Sequence, residues 1–145
     1  MFRTVLAVAA IAIGVTAVAA QSDPIAARKA LMKEQGAQTK TGGGMAKGEV
    51  PFVLAKAQAI FANYIDTAAK MPDLFPPTSK AGGETTAAPK IWDDMAGFKA
   101  GFAKFSTEAK AAQSSVKDLD SFKAAFGGLT KNCGACHETY RVKKS

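Results

Sequence analysis

The chain has 145 residues, with 19 Lys and Arg against 12 Asp and Glu, a formal charge of +7 at neutral pH. That length leaves room for one domain with a modest core rather than several. The positive charge is not concentrated on an Arg/Lys-rich helix, which argues against nucleic-acid binding and favours partners with acidic docking surfaces.

Residues 1–20, MFRTVLAVAAIAIGVTAVAA, place one cation at Arg3, then an apolar run, then small residues. Val18 and Ala20 satisfy the small-residue cleavage pattern of a secretory signal peptide, with Gln21 as the new N-terminus and cleavage after Ala19 as the close alternative. A retained membrane anchor is the competing reading. The run is borderline for a span, and polar sequence begins directly after it. No other segment is long and apolar enough to cross a bilayer. The expected mature chain, residues 21–145, carries a formal charge of about +6 and is exported to the periplasm.

The first mature helix is expected over Pro24–Thr39. Asp23 supplies a capping carboxylate and Pro24 suits the first helical position. Ile25, Arg28, Leu31, Met32 and Gln35 form its inward stripe. The helix is expected to end before Gly42-Gly43-Gly44, because each interior glycine is unfavourable. A second helix is expected over Val50–Ala69, with Val50, Leu54, Ala57, Phe61, Ile65 and Ala68 at three- and four-residue intervals. Residues 72–89 are rich in Pro, Gly, Ser and Thr and read as a long crossover, with Leu74 and Phe75 tucked back onto the helices. Trp92, one residue off the next stripe, is expected against this crossover or at a subunit contact.

The third helix has the cleanest period: Ile91, Met95, Phe98, Phe102, Phe105, Ala109, Ala112 and Val116. The fourth repeats it with Leu119, Phe122, Phe126, Leu129, Cys133, Cys136 and Tyr140. Gly127 and Gly128 either interrupt this last helix or let a neighbour approach closely. The short Ser114–Asp120 connection makes the last two helices antiparallel neighbours. Four amphipathic helices with one long crossover predict an all-α, antiparallel four-helix bundle.

Both cysteines and the only histidine fall in one pentad, Cys133-Gly134-Ala135-Cys136-His137. C-x-x-C-H is the signature of covalent c-type haem attachment. On a helix, positions three apart share a face, so two thiols reach one porphyrin edge while His137 serves as proximal iron ligand. A thioredoxin-like pair wants a strand-turn-helix setting, and a closed zinc site wants four ligands, so both fit less well. The expected cofactor is a single haem c, and no substrate turnover is required of it. A helical bundle without haem is the bland alternative.

With no second histidine, the sixth iron position is either methionine or vacant. A thioether there gives low-spin iron suited to electron transfer, whereas a vacant site admits nitric oxide or carbon monoxide. The candidates are Met32, Met45, Met71 and Met95. Met32 is best placed, mid-helix and one turn after Arg28. Arg28 and Arg141 are candidates for pairing with haem propionates, against a solvated-charge reading for each, and Tyr140 for packing beside the proximal imidazole.

The late CGACH, the following ETYR over 138–141, KAAFG over 123–127, PKIW over 89–92 and KGEVPF over 47–52 together resemble the class II c-type cytochromes across nearly the whole mature chain. The resemblance implies a haem-binding bundle of one of two branches. Cytochromes c prime are high-spin and five-coordinate, often dimeric, and bind nitric oxide or carbon monoxide. A low-spin sister branch takes a methionine from helix one as sixth ligand, and the segment RKALMKEQG over 28–36 resembles that branch, with its ligand position falling on Met32. On this reading the protein is a periplasmic, low-spin His137/Met32 electron carrier with acidic redox partners, and a homodimer is a further possibility.

Overall fold

Asp23 accepts a hydrogen bond from the Ile25 amide at 2.9 Å and Pro24 takes the first helical position, and from this cap the first helix is built. The computed structural model describes residues 23–143, so the predicted signal peptide lies outside the described residues. Four long helices follow in order: α1 (Pro24–Lys47), α2 (Leu54–Lys70), α3 (Met95–Ser115) and α4 (Leu119–Tyr140). α2 lies most extensively along α3, while α1 contacts α2 and α4, and α3 contacts α4, closing a four-helix bundle. Among the described residues, the only sheet-like pairing recorded is an isolated bridge between Ala87 and Arg141.

α1 does not stop before the glycine triplet as expected. It runs through Gly42–Gly44 and ends at Gly48, whose φ of 76° closes it in the left-handed region. The reason is tertiary. A Cβ at Gly42 would lie 2.8 Å from Phe126 Cζ and closer still to Cε2, so the absent side chain is what lets α1 sit against α4. One turn on, Met45 is fully buried in the main core. Burying such a side chain is worth about 1.5–3 kcal/mol, enough to offset much of the glycines' weak helix propensity. The close approach anticipated at Gly127–Gly128 is therefore made by Gly42, and α4 passes through its own glycine pair unbroken.

α2 starts at Leu54, later than expected, leaving Val50 exposed. The crossover carries two short 3₁₀ turns, Met71–Leu74 and Pro77–Ser79. Met71 and Phe75 fold inward onto Ile91 and Phe98 as a second apolar cluster, with Leu74 packed against it. Trp92 lies on the crossover as anticipated, donating from Nε1 to the Phe75 carbonyl at 3.0 Å. The third stripe is not one helix. A single turn at Lys90–Asp93 ends at Asp94, whose φ of −135° and ψ of 52° break the run before α3 begins. Asp94 then caps α3 by accepting from the Gly97 amide at 3.1 Å. α4 opens with a capping box between Asp118 and Ser121.

The main core joins α1, α2, α3 and α4 through Met45, Phe61, Tyr64, Phe105, Phe122 and Phe126. The second cluster plugs the crossover end. The main core takes Phe122, Phe126 and Leu129 from the first half of α4 and the second cluster packs against Tyr140 at its end, so the cysteines lie between the two along the helix.

Candidate functional site

A cavity of about 440 Å³ opens among α1, α3 and α4. α4 contributes Cys133, Cys136, His137 and Tyr140 to its wall. α3 contributes Phe102 and Phe105, and α1 contributes Met32, Gln35 and Thr39. A second cavity of about 510 Å³ shares Met32, Phe102, Cys136, His137 and Tyr140 with the first, and extends toward Arg28, Arg141 and the crossover. The predicted site residues therefore converge on one region.

The helical register explains the convergence. Cys133, Cys136, His137 and Tyr140 are spaced by three or four residues on an unbroken α4, so they form one face. Both thiols are free and half-buried. Burial pushes the Cys133 thiol up; for Cys136 burial acts first and the neighbouring Cys133 adds to it. His137 is shifted down by burial first and by the Arg141 charge second, which favours the neutral imidazole that binds metal.

The cavity fits a porphyrin on its own evidence of shape and donors. Two thiols and an imidazole share one wall. Gly36 and Gly101 line the cavity, and a Cβ at either would meet nothing within 4 Å. Gln35 lines the cavity too, with its Oε1 sealed within the protein and without a hydrogen-bond partner. Among the described residues, no group of three or more His, Cys, Asp and Glu side chains is arranged to hold a bare metal ion, so the zinc reading gains nothing.

The remaining predicted residues are placed as follows. Tyr140 turns its ring edge-on to Phe98, with centroids 5.2 Å apart, and its hydroxyl donates to Asp94 Oδ2 at 2.9 Å. That bond, ahead of the Gly97 amide, holds the Asp94 carboxyl below the usual carboxylate range. Asp94 was not legible as a site-adjacent residue; its only signal was a polar side chain between Ile91 and Met95 on the third stripe. Arg141 lies just past α4, where the Ala88 amide donates to the Tyr140 carbonyl at 3.0 Å and the Val142 amide to the Thr86 carbonyl at 2.8 Å. These bonds fasten the end of the haem-signature helix to the crossover. Arg28 is 4% exposed and committed to the crossover. Its Nη1 donates to the Leu74 carbonyl and Ser79 Oγ, and its Nη2 to the Ser79 carbonyl and Thr85 Oγ1, at 2.7–3.1 Å. The guanidinium carbon also stands 4.6 Å from the Phe75 ring centroid.

Of the four methionine candidates, Met45 is sealed in the main core and Met71 in the second cluster, where Met95 packs at the margin. Met32 lines both cavities, and it also packs with Leu31 against the second cluster.

Comparison with known proteins adds the family context. The family model described as Cytochrome C' matches residues 23–141. The cytochrome c' of Rhodopseudomonas palustris is 48% identical over 126 residues, covering 87% of this chain and 86% of that protein. Its solved structure superposes with a TM-score of 0.83 over 86% of this chain and all of that one. A cytochrome c-556 of Agrobacterium tumefaciens is 41% identical over 122 residues, 81% of this chain and 94% of that protein. A variant of the cytochrome c prime of Alcaligenes xylosoxidans, solved as its nitric oxide complex, is 27% identical with a TM-score of 0.72, over 83% and 94% of the two chains. These findings correct the expectation of a low-spin His137/Met32 electron carrier. The matching family model and the relative at 48% identity are cytochromes c'. The physical reason the sequence misled is that a methionine at this place serves equally as apolar wall, and Met32 has that role against the second cluster.

Proposed function

Since the chain belongs to the cytochrome c' family, we propose that it binds a small diatomic gas, nitric oxide or carbon monoxide, at the open position of a high-spin, five-coordinate haem. The chain carries one covalent haem c and is not an enzyme. When bound, that group supplies a redox-active iron with one free coordination position.

The side chains divide the work. Cys133 and Cys136 form the two thioethers, and their common helical face sets the edge at which they do so. His137, on the same face as the two thiols, is the proximal ligand. Tyr140, fixed by Asp94 and Phe98, packs one turn further along the same face. Met32, Phe102 and Phe105 form apolar walls that exclude water from the gas side. Arg141, at the mouth of the second cavity, is the cation placed for a propionate; Arg28 faces the same cavity while both its terminal nitrogens serve the crossover.

Family membership carries this reading. It is supported by the single histidine in the sequence, which leaves no second imidazole for the iron. Residues 1–20 direct export to the periplasm, where thiols and haem are joined, and residues 21–145 form the haem domain. No helix among the described residues is long and apolar enough to cross a membrane. The basic surface suits acidic redox partners that reset the iron's oxidation state. Support for a homodimer comes from Val50, Val53 and Leu54, apolar and exposed together at the start of α2.

Optical spectra of the ferric and ferrous holoprotein, with and without carbon monoxide, test the proposal. High-spin bands and ready uptake of carbon monoxide are expected, unchanged in spin state by Met32→Leu. Sharp low-spin bands that resist carbon monoxide, and turn high-spin on that substitution, would overturn it.

A further inference from the structure

The end of α4 is held from outside the cavities. The Tyr140 hydroxyl donates to Asp94 Oδ2 at 2.9 Å, the Ala88 amide to the Tyr140 carbonyl at 3.0 Å, and the Val142 amide to the Thr86 carbonyl at 2.8 Å. The Arg141 amide closes the last turn by donating to the His137 carbonyl at 3.2 Å. His137 therefore begins the turn that these bonds hold. Its own side chain is exposed, so the place of the imidazole follows the backbone that carries it.

Asp94 serves two partners at once. Its Oδ1 accepts from the Gly97 amide at 3.1 Å and caps α3, while its Oδ2 accepts from Tyr140. Capping alone needs one oxygen, which a serine supplies as well. A Cβ at Gly97 would stand 2.6 Å from Oδ2 and 2.7 Å from Oδ1, so the missing side chain makes room for the carboxylate in this pose. At the other end, a phenylalanine would keep the edge-on contact with Phe98, and only the hydroxyl reaches Asp94. Asp94 itself lines neither cavity, whereas Tyr140 and His137 line both. We propose that Asp94, acting through Tyr140, is a positioning residue for the proximal imidazole: it ties the start of α3 to the last turn of α4 and so fixes where His137 presents its ring. An axial imidazole and its supporting contacts tune the iron, so this tie bears on gas binding at the opposite face. Neither residue transfers a proton. This inference rests on the reading of His137 as the axial ligand of a five-coordinate haem.

The experiment uses the ferrous holoprotein, wild type, Tyr140→Phe and Asp94→Ser, and reads the iron–histidine stretch by resonance Raman. Tyr140→Phe removes the tie and leaves the α3 cap intact. Asp94→Ser keeps a capping oxygen on a side chain too short to reach Tyr140. Both variants should shift and broaden the stretch in the same direction, and the double variant should add nothing further, because each removes the same bond. Hydrogen exchange at the Val142 amide should speed up roughly 3- to 10-fold in both, the effect of losing one hydrogen bond on local opening. A stretch of wild-type position and width in Tyr140→Phe overturns this inference alone, whatever the amide exchange shows. A shift confined to Asp94→Ser traces the effect to the helix cap and overturns it equally. A wild-type ferrous haem without an iron–histidine stretch, its sixth position filled by the protein, overturns the functional reading together with it.

Discussion

Gly42 and Gly43 are adjacent in one helix, share the same intrinsic propensity, and are predicted to respond to alanine with opposite signs. In an open helix interior, Gly→Ala stabilises by about 1 kcal/mol. At Gly43 a Cβ meets nothing within 4 Å, so Gly43→Ala should show that gain undiminished. At Gly42 the new Cβ would enter the Phe126 ring, with Cζ only 2.8 Å away. That ring is 7% exposed and stacked on Phe122 at 5.2 Å, so it has little room to withdraw. Overpacking of this kind is worth about 1–3 kcal/mol of destabilisation, which cancels the propensity gain and in most of that range exceeds it. Because the propensity contribution is common to both, the difference between the two variants isolates the clash, and Gly43→Ala should be the more stable by about 1–3 kcal/mol. Urea unfolding of the holoprotein, followed by far-UV circular dichroism, measures it. Adding Phe126→Leu should shrink the difference, since it opens space on α4. Equal stabilisation by both alanines would refute the claim that Gly42 sets the α1–α4 approach.

Arg28→Leu should destabilise the fold by about 2–4 kcal/mol in chemical denaturation, because it leaves the Leu74 and Ser79 carbonyls and two hydroxyls without their donor. A change within 0.5 kcal/mol, as expected of a solvated surface charge, would show that the crossover does not depend on it. Tyr64 predicts a loss of stability in alkali. Burial, opposed by the Thr39 hydrogen bond and assisted weakly by Cys133, pushes its hydroxyl up to about 12. A raised folded value means the contribution is intact below the ordinary tyrosine value near 10 and is lost as pH rises through about 12. The amount at stake is on the order of 2–3 kcal/mol. Tyr64→Phe should flatten the stability profile between those limits, and an unchanged profile would exclude Tyr64 as its source.

The parts of the fold that were legible in the sequence are those specified locally. The Asp23–Pro24 start of α1, the Leu119–Tyr140 extent of α4 and the inward tuck of Phe75 each follow from periodicity, capping chemistry or a turn-rich composition. The attachment pentad was legible because helical spacing alone puts its sulfurs and imidazole on one face. What escaped depended on partners distant in the chain. The glycine triplet reads as a helix terminator until Phe126 is brought against it. Arg28 reads as a propionate partner or a solvated charge until Ser79 and Thr85 fold over it. Asp94 interrupts a stripe whose periodicity predicts one uninterrupted helix, and only its bonds to Gly97 and Tyr140 reveal its use. Gln35 was placed on the inward stripe, yet nothing in its spacing says that its amide lacks a partner.

Met32 shows why a residue's type and position do not settle its role at such a site. The α1 wall is located by contacts outside the cavity. Gly42 against Phe126 ties one part of the helix to α4, and the Arg28 hydrogen bonds tie another part to the crossover. Met32 and Gln35 lie between these two fastenings, so the distance from their backbone to the α4 face is set before either side chain contributes. A thioether can ligate or merely line the wall from such a position, and the sequence contains the same methionine in both cases. Spin state is therefore a property of how α1 is held against α4. Family membership bears on that because it reflects the whole packing arrangement. A single residue in the RKALMKEQG segment does not carry that information.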